Sequence, residues 1–215
     1  MSYCCGSEIQ RYESPWGITN KIGYWNACTI TDMINHFGNK SSRQCYTNNT
    51  ILYKNPFAIQ KLADALNVEA SLIGSGNLGT YLDDDEILLF TETILRICPV
   101  CIKSGYHSCF HQLLPMKYCP AHKIELTVVC PCCKTKFIEC YNRDIHNYFS
   151  CCNCGHRFVN LEETIRGIDA KSLKHFDLIA KMLLIRKQNK NITIRMLEFR
   201  KNKNSLYFQK QVWNL

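Results

Sequence analysis

The chain contains no uninterrupted apolar stretch of the ~18 residues that a membrane-spanning helix takes, so a bilayer span is not expected. Its first residues, MSYCCGSEIQRYESPW, hold no basic segment followed by an apolar one, so no secretory leader is expected. None of its seven histidines is followed two positions later by glutamate, so the His-x-Glu element on which zinc deaminases rely is missing. The first two absences point to a reducing, cytoplasmic setting, where disulfides are rare. Yet there are 15 cysteines among 215 residues, an odd number that a complete disulfide framework would leave unpaired. Metal ligation therefore leads over cross-linking. With 46% hydrophobic residues the chain can bury a core, arranged in one or two domains.

The net charge of +8 is unevenly spread. From Lys171 onward 11 Lys/Arg face only Asp177 and Glu198, whereas residues 1–170 hold 15 Lys/Arg against 16 Asp/Glu. Such asymmetry suits either a nucleic acid or an acidic protein surface, or a solvated helix face. The cations expected to contact phosphates are Lys174, Lys181, Arg186, Lys187, Lys190, Arg195, Arg200, Lys201 and Lys203. Contacts of that kind position a protein without reading sequence.

Local patterns predict a mainly helical chain with small β elements around the cysteines. Pro15 fits the first turn of a helix, and Thr31 is expected to cap a helix over 32–37. A polar loop follows over 38–50. In LADALNVEASLI, two short helices with a left-handed turn at Asn67 are predicted, either a helix-turn-helix or a plain helical hairpin. The acids Asp83, Asp84, Asp85 and Glu86 are expected to cap a helix EILLFTETILRI, since carboxylates satisfy free amides at a helix start. SLKHFDLIAKMLLIRKQNK reads as an amphipathic helix with Leu173, Phe176, Ile179, Ala180, Leu183 and Leu184 on its apolar face. The last 25 residues, NITIRMLEFRKNKNSLYFQKQVWNL, are ambiguous between helix and strand. The expected organisation is a helical domain over 1–92 with the helix-turn-helix-like segment, tandem metal modules over 93–160, and a basic helical segment over 161–215.

Four donor pairs at a spacing of three carry the chemistry: Cys98/Cys101, Cys119/His122, Cys130/Cys133 and Cys151/Cys154. At this spacing a tight turn aims both donors at one ion. Each donor of the first four reappears 32 residues later, which fits two consecutive zinc-ribbon-like modules, one Cys3His and one Cys4. Tetrahedral sulfur and nitrogen sets favour zinc. With four protein ligands each, neither site keeps the open position that hydrolytic zinc needs, so both read as structural and the chain as no enzyme. Cys132 and Cys152 lie inside the turns, and either could replace a neighbour in register. Cys4, Cys5, Cys28, Cys45, Cys109 and Cys140 read as small buried groups or surface thiols. His107 and His111 could ligate metal or pack around the first module. An interleaved wiring, with Cys98/Cys101 joined to Cys130/Cys133, would make a RING-type cross-brace and a ubiquitin-ligase module. The seven residues between His122 and Cys130 are long for it, and IELTVV reads as a strand closing the first module.

The words between the donors add a resemblance. CPVCIKSGYHSCFHQLLPMKYCPAHKIELTVVCPCCKTKF is similar to the TniQ/TnsD family of transposon target-selection proteins, with its run of CPxC, GYH, HQ, CPxHxxxL and CPxC. The matching positions are Cys98, Cys101, Gly105, Tyr106, His107, His111, Gln112, Cys119, His122, Leu126, Cys130 and Cys133, with FSCCNCGHRF as the closing turn. The likeness spans roughly residues 12–158 and is specific over 98–133. It implies a non-enzymatic adaptor, one that joins target DNA, in some elements marked by an RNA-guided CRISPR effector complex, to an AAA+ ATPase that recruits transposase. A bacterial, nucleoid-associated location and a pairing of two copies are compatible with it. A helix-turn-helix DNA-binding regulator is the remaining alternative.

Overall fold

The computed structural model describes residues 8–39, 50–137, 148–151, 153–159 and 167–188. Lys190, Arg195, Arg200, Lys201, Lys203, Cys4, Cys5, Cys45, Cys140 and Cys152 lie outside them, as do most of the 38–50 loop and all of the last 25 residues. The described chain is mainly helical, and its β pairing consists of isolated bridges.

The first helix, α1 (Pro15–Asn26), has Pro15 in its first position as the sequence predicts, and the structure adds its cap: the Ser14 hydroxyl accepts from the Gly17 amide at 3.0 Å. It is buried nearly all round its first three turns, including Lys21, whose ammonium lies 2.9 Å from the equally buried Glu13 carboxylate and donates to the Glu8 carbonyl. Helix α2 (Ile30–Phe37) corrects an expectation. Its cap is Thr29, not Thr31, because only Thr29 has an acid three residues on: the Asp32 amide donates to the Thr29 hydroxyl and the Thr29 amide to the Asp32 carboxylate.

Helices α3 (Ile59–Leu66) and α4 (Ala70–Gly74) flank Asn67, which is left-handed at φ +54° as predicted. Leu62, Ala63, Leu66 and Ile73 bury their common face. Helix α5 (Asp84–Phe90) opens on the capping box of Asp83 and Glu86, so the acid run does cap a helix. That helix stops at Phe90 rather than continuing to Ile97. The backbone beyond it is occupied by one side chain: the Gln112 amide donates to the Glu92 and Ile94 carbonyls at 3.0 and 2.8 Å and accepts from the Arg96 amide at 3.0 Å. Helical hydrogen bonds are thereby replaced.

Helix α6 (Pro99–Lys103) follows Cys98, and the long α7 (Ala170–Gln188) closes the fold. Phe176 of α7 is fully buried against Tyr106, Phe110 and His111. Asp177 accepts from the Tyr12 hydroxyl at 2.7 Å and pairs with Arg11 at 2.9 Å. Tyr12 is pushed up to about 12, chiefly by burial and then by Asp177. One hydrophobic cluster runs from Ile9 to Ala180 and takes in donors from both cysteine sets.

Candidate metal centres

Both donor sets assemble as the spacing predicts. Cys98, Cys101, Cys119 and His122 bring one donor atom each within 4.8 Å of one another, and so do Cys130, Cys133, Cys151 and Cys154. The wiring is consecutive, which is not the interleaved connectivity of a cross-brace. In the first set the Cys101 and Cys119 sulfurs are 3.7 Å apart, and His122 Nδ1 lies 3.5, 3.2 and 3.6 Å from the sulfurs of Cys98, Cys101 and Cys119. In the second, Cys130–Cys154 and Cys133–Cys151 are both 3.7 Å. Tetrahedral donors at zinc–sulfur ~2.3 Å and zinc–nitrogen ~2.0 Å stand about 3.7 Å (S–S) and about 3.5 Å (S–N) apart, so both sets fit one such ion each.

The turns that present the donors are built alike. Cys119, Cys130 and Cys151 each donate their amide to the carbonyl five residues on, at 2.8, 2.9 and 2.9 Å. The residue four on is left-handed every time: Lys123 at +57°, Lys134 at +59° and Gly155 at +68°. The Cys98/Cys101 pair is different, since it sits on α6 with Pro99 at its first position. Cys132 is exposed and outside the ligand set, so in the first turn of the second set it does not replace its neighbour. Residues 124–129, expected as a strand closing the first module, form isolated bridges and no continuous strand, and those bridges serve both sets. Glu125, Thr127 and Val129 bridge in turn to Tyr118, Ile97 and Lys136.

Thiols this close compete for protons. Cys133 is drawn down to about 5, first by the Thr135 hydroxyl and amide and then by Asn153. Cys154 is pushed up to about 12: the His156 amide favours its thiolate, but desolvation and the neighbouring thiols outweigh it. Four thiolates cannot coexist at these distances without a cation between them, and a dication removes the conflict. The first set is buried except at His122, while in the second Cys154 is exposed and Cys133 half-buried.

The GYH and HQ residues do not ligate. His107 is wholly buried, and its Nε2–H donates to the Arg96 carbonyl at 3.0 Å, which leaves Nδ1 to accept the Ser14 hydroxyl at 2.6 Å. Burial pushes His107 down to about 4, so it is neutral. The Tyr106 hydroxyl donates to the Arg11 carbonyl at 2.9 Å, and Gly105 supplies the left-handed residue (φ +68°) after α6. His111 is buried between His107 and Phe176. These residues clamp the segment before α1 and the segment after α5 onto the first donor set. Packing is the role the structure gives His107 and His111. Cys109 is likewise a buried thiol, pushed up by desolvation.

The cations expected on α7 divide. Lys174 and Lys181 are exposed. Lys187 lies 3.5 Å from Asp83 and donates to the Gly79 carbonyl at 3.2 Å. Arg186 is a correction: it is buried in an ion pair with Glu86 and faces the core, not solvent. In the hairpin of α3 and α4, the exposed charges at the turn are Asp64 and Glu69, which suit a DNA-reading element poorly. Among the described residues no helix is long and apolar enough to cross a membrane. No protein family, curated protein or solved structure was found to match the chain.

Proposed function

We propose that the protein is a zinc-loaded, non-enzymatic adaptor of DNA transposition, joining target DNA to an AAA+ ATPase regulator. The observation that carries the first half is the saturation of both donor sets. Four protein donors per site at tetrahedral separations leave no position for an activated water, so each ion braces the chain and catalyses nothing. The ion is taken as zinc because a three-sulfur, one-nitrogen set and a four-sulfur set at these separations suit it. The biological half rests on the resemblance over 98–133. Of the GYH and HQ residues, which no ion requires, Tyr106, His107 and Gln112 are buried and hydrogen-bonded across the chain, which supports reading them as a family signature and not as a chance run.

Consecutive wiring disfavours the ubiquitin-ligase reading. The short α4, with Glu69 before it and no Lys or Arg within it, disfavours the helix-turn-helix regulator. The test is co-purification: the full chain, carrying two zinc ions, is mixed with an AAA+ ATPase transposition regulator from the same source, duplex DNA and ATP under filament-forming conditions. Retention that needs both ATP and intact donors supports the adaptor role. An ATPase filament that never retains the loaded chain overturns it.

A further inference from the structure

The second donor set carries more than an ion. Its two turns repeat one local pattern: Val129 bridges to Lys136, and Ser150 bridges to Arg157. Lys136 and Arg157 each stand six residues after the first cysteine of their turn. The same position in the turn of the first set is an acid, Glu125, which pairs with Lys117 at 3.5 Å. Lys134, held left-handed, and Lys136 flank Thr135, whose hydroxyl accepts from the Asn153 amide of the opposite turn at 3.1 Å. Lys134, Thr135, Lys136, Asn153, His156 and Arg157 are all exposed. Among the described residues of 126–159 there is no acid, and over the full sequence of that stretch Lys134, Lys136, Arg143 and Arg157 outnumber Glu139 and Asp144.

The character of this face narrows the partner. Among the described residues, no large apolar side chain is exposed between Ile124 and Leu178. A protein partner is normally anchored by apolar or aromatic side chains in a desolvated centre, which the described residues of this face do not offer. Exposed ammonium and guanidinium groups beside amide and hydroxyl donors suit closely spaced phosphates instead.

We propose that the exposed face of the second metal module, centred on Lys134, Lys136 and Arg157, binds the sugar-phosphate backbone of nucleic acid. The ion's part is architectural: it holds the two turns together so that cations from both strike one run of phosphates. Binding at this face is independent of sequence, and it requires neither α7 nor the ATPase.

The test uses the full chain with two metal ions and a fluorescein-labelled duplex of mixed sequence, with anisotropy followed from low to moderate salt. The variant Lys134→Asn/Lys136→Gln/Arg157→Gln keeps a residue that tolerates the left-handed seat. It is expected to bind at least tenfold more weakly at low salt, and its log–log salt slope should be shallower by about 2.7, close to 0.9 for each of three lost phosphate contacts. Lys174→Gln/Lys181→Gln on α7 is expected to leave the slope within about one unit of the parent. Should the triple variant lose metal, Lys136→Gln/Arg157→Gln serves in its place, with an expected change of about 1.8. An unchanged affinity and slope in the metal-loaded variant overturns the proposal. So does polyglutamate that competes as well as duplex at equal charge, which would mark an acidic-protein surface. Neither result bears on ATPase retention, which is measured separately.

Discussion

Arg186 of α7 lies buried against Glu86, the residue that also completes the capping box of α5. One carboxylate thus caps the start of one helix and fixes the last described helix. Truncating Arg186 to alanine leaves that carboxylate in the core without its cation, which costs about 3–5 kcal/mol. Urea denaturation of the metal-loaded chain should show the loss, and Glu86→Gln/Arg186→Met should recover most of it. The DNA-binding salt slope of a folded Arg186 variant should stay unchanged, since the guanidinium faces the interior.

The two donor sets should release metal at different rates. Cys154 and Cys133 of the second set meet solvent, whereas Cys98, Cys101 and Cys119 are buried. Addition of a chromogenic chelator should therefore give two phases of one equivalent each, the faster abolished by Cys154→Ser. Zinc-edge X-ray absorption of the loaded chain should average 3.5 sulfurs and 0.5 nitrogens per ion, as expected from seven cysteines and one histidine. Single-phase release of both equivalents would contradict this assignment of burial.

His107 should make stability fall with acid. Its folded pKa, about 4, lies below the ordinary histidine value near 6.5, so the unfolded chain binds more protons between the two. Stability is then fully present above about pH 6.5 and declines as the pH falls toward about 4, by on the order of 3 kcal/mol. His107→Asn should lower stability at pH 7 but flatten the dependence in that window. Metal content is measured at each pH, so that ion loss and imidazole protonation are told apart.

Gly23 of α1 packs against Tyr148, three residues before Cys151 of the second donor set, and an added Cβ would stand 2.0 Å from the ring. Nearby the Phe149 amide donates to the Asn20 side chain at 2.8 Å, and the Phe149 ring meets Trp16 edge-on at 6.0 Å. Gly23→Ala should push this contact apart and destabilise the chain by about 1–3 kcal/mol. A shift in Trp16 emission with both metals retained is the expected signature.

Much of the donor chemistry was legible because it is local. A spacing of three fixes a turn, and the 32-residue recurrence separates the two sets without any knowledge of the fold. Pro15 and the Asp83–Glu86 run were readable for the same reason. Thr29 needed closer attention to Asp32, since a capping box is defined by both ends. Arg186 also had a signal: it lies seven past Ile179 and three past Leu183, on the buried stripe of α7, but its charge assigned it to the solvent face. The partners of His107 and Gln112 had no such signal. Ser14 is 93 residues from His107, and Gln112 reads the backbone of a segment that looks helical by itself.

That last interaction bears on where the chain can be cut. A fragment beginning near residue 93 would keep every metal donor, yet it would strip Ser14 from His107, Arg11 from Tyr106 and the Glu92 carbonyl from Gln112. Three polar groups now satisfied in the interior would be left facing water or nothing. The metal region is accordingly not a portable cassette. An expressible piece has to begin ahead of Arg11, and its limits follow the hydrogen bonds of the residues that never touch an ion.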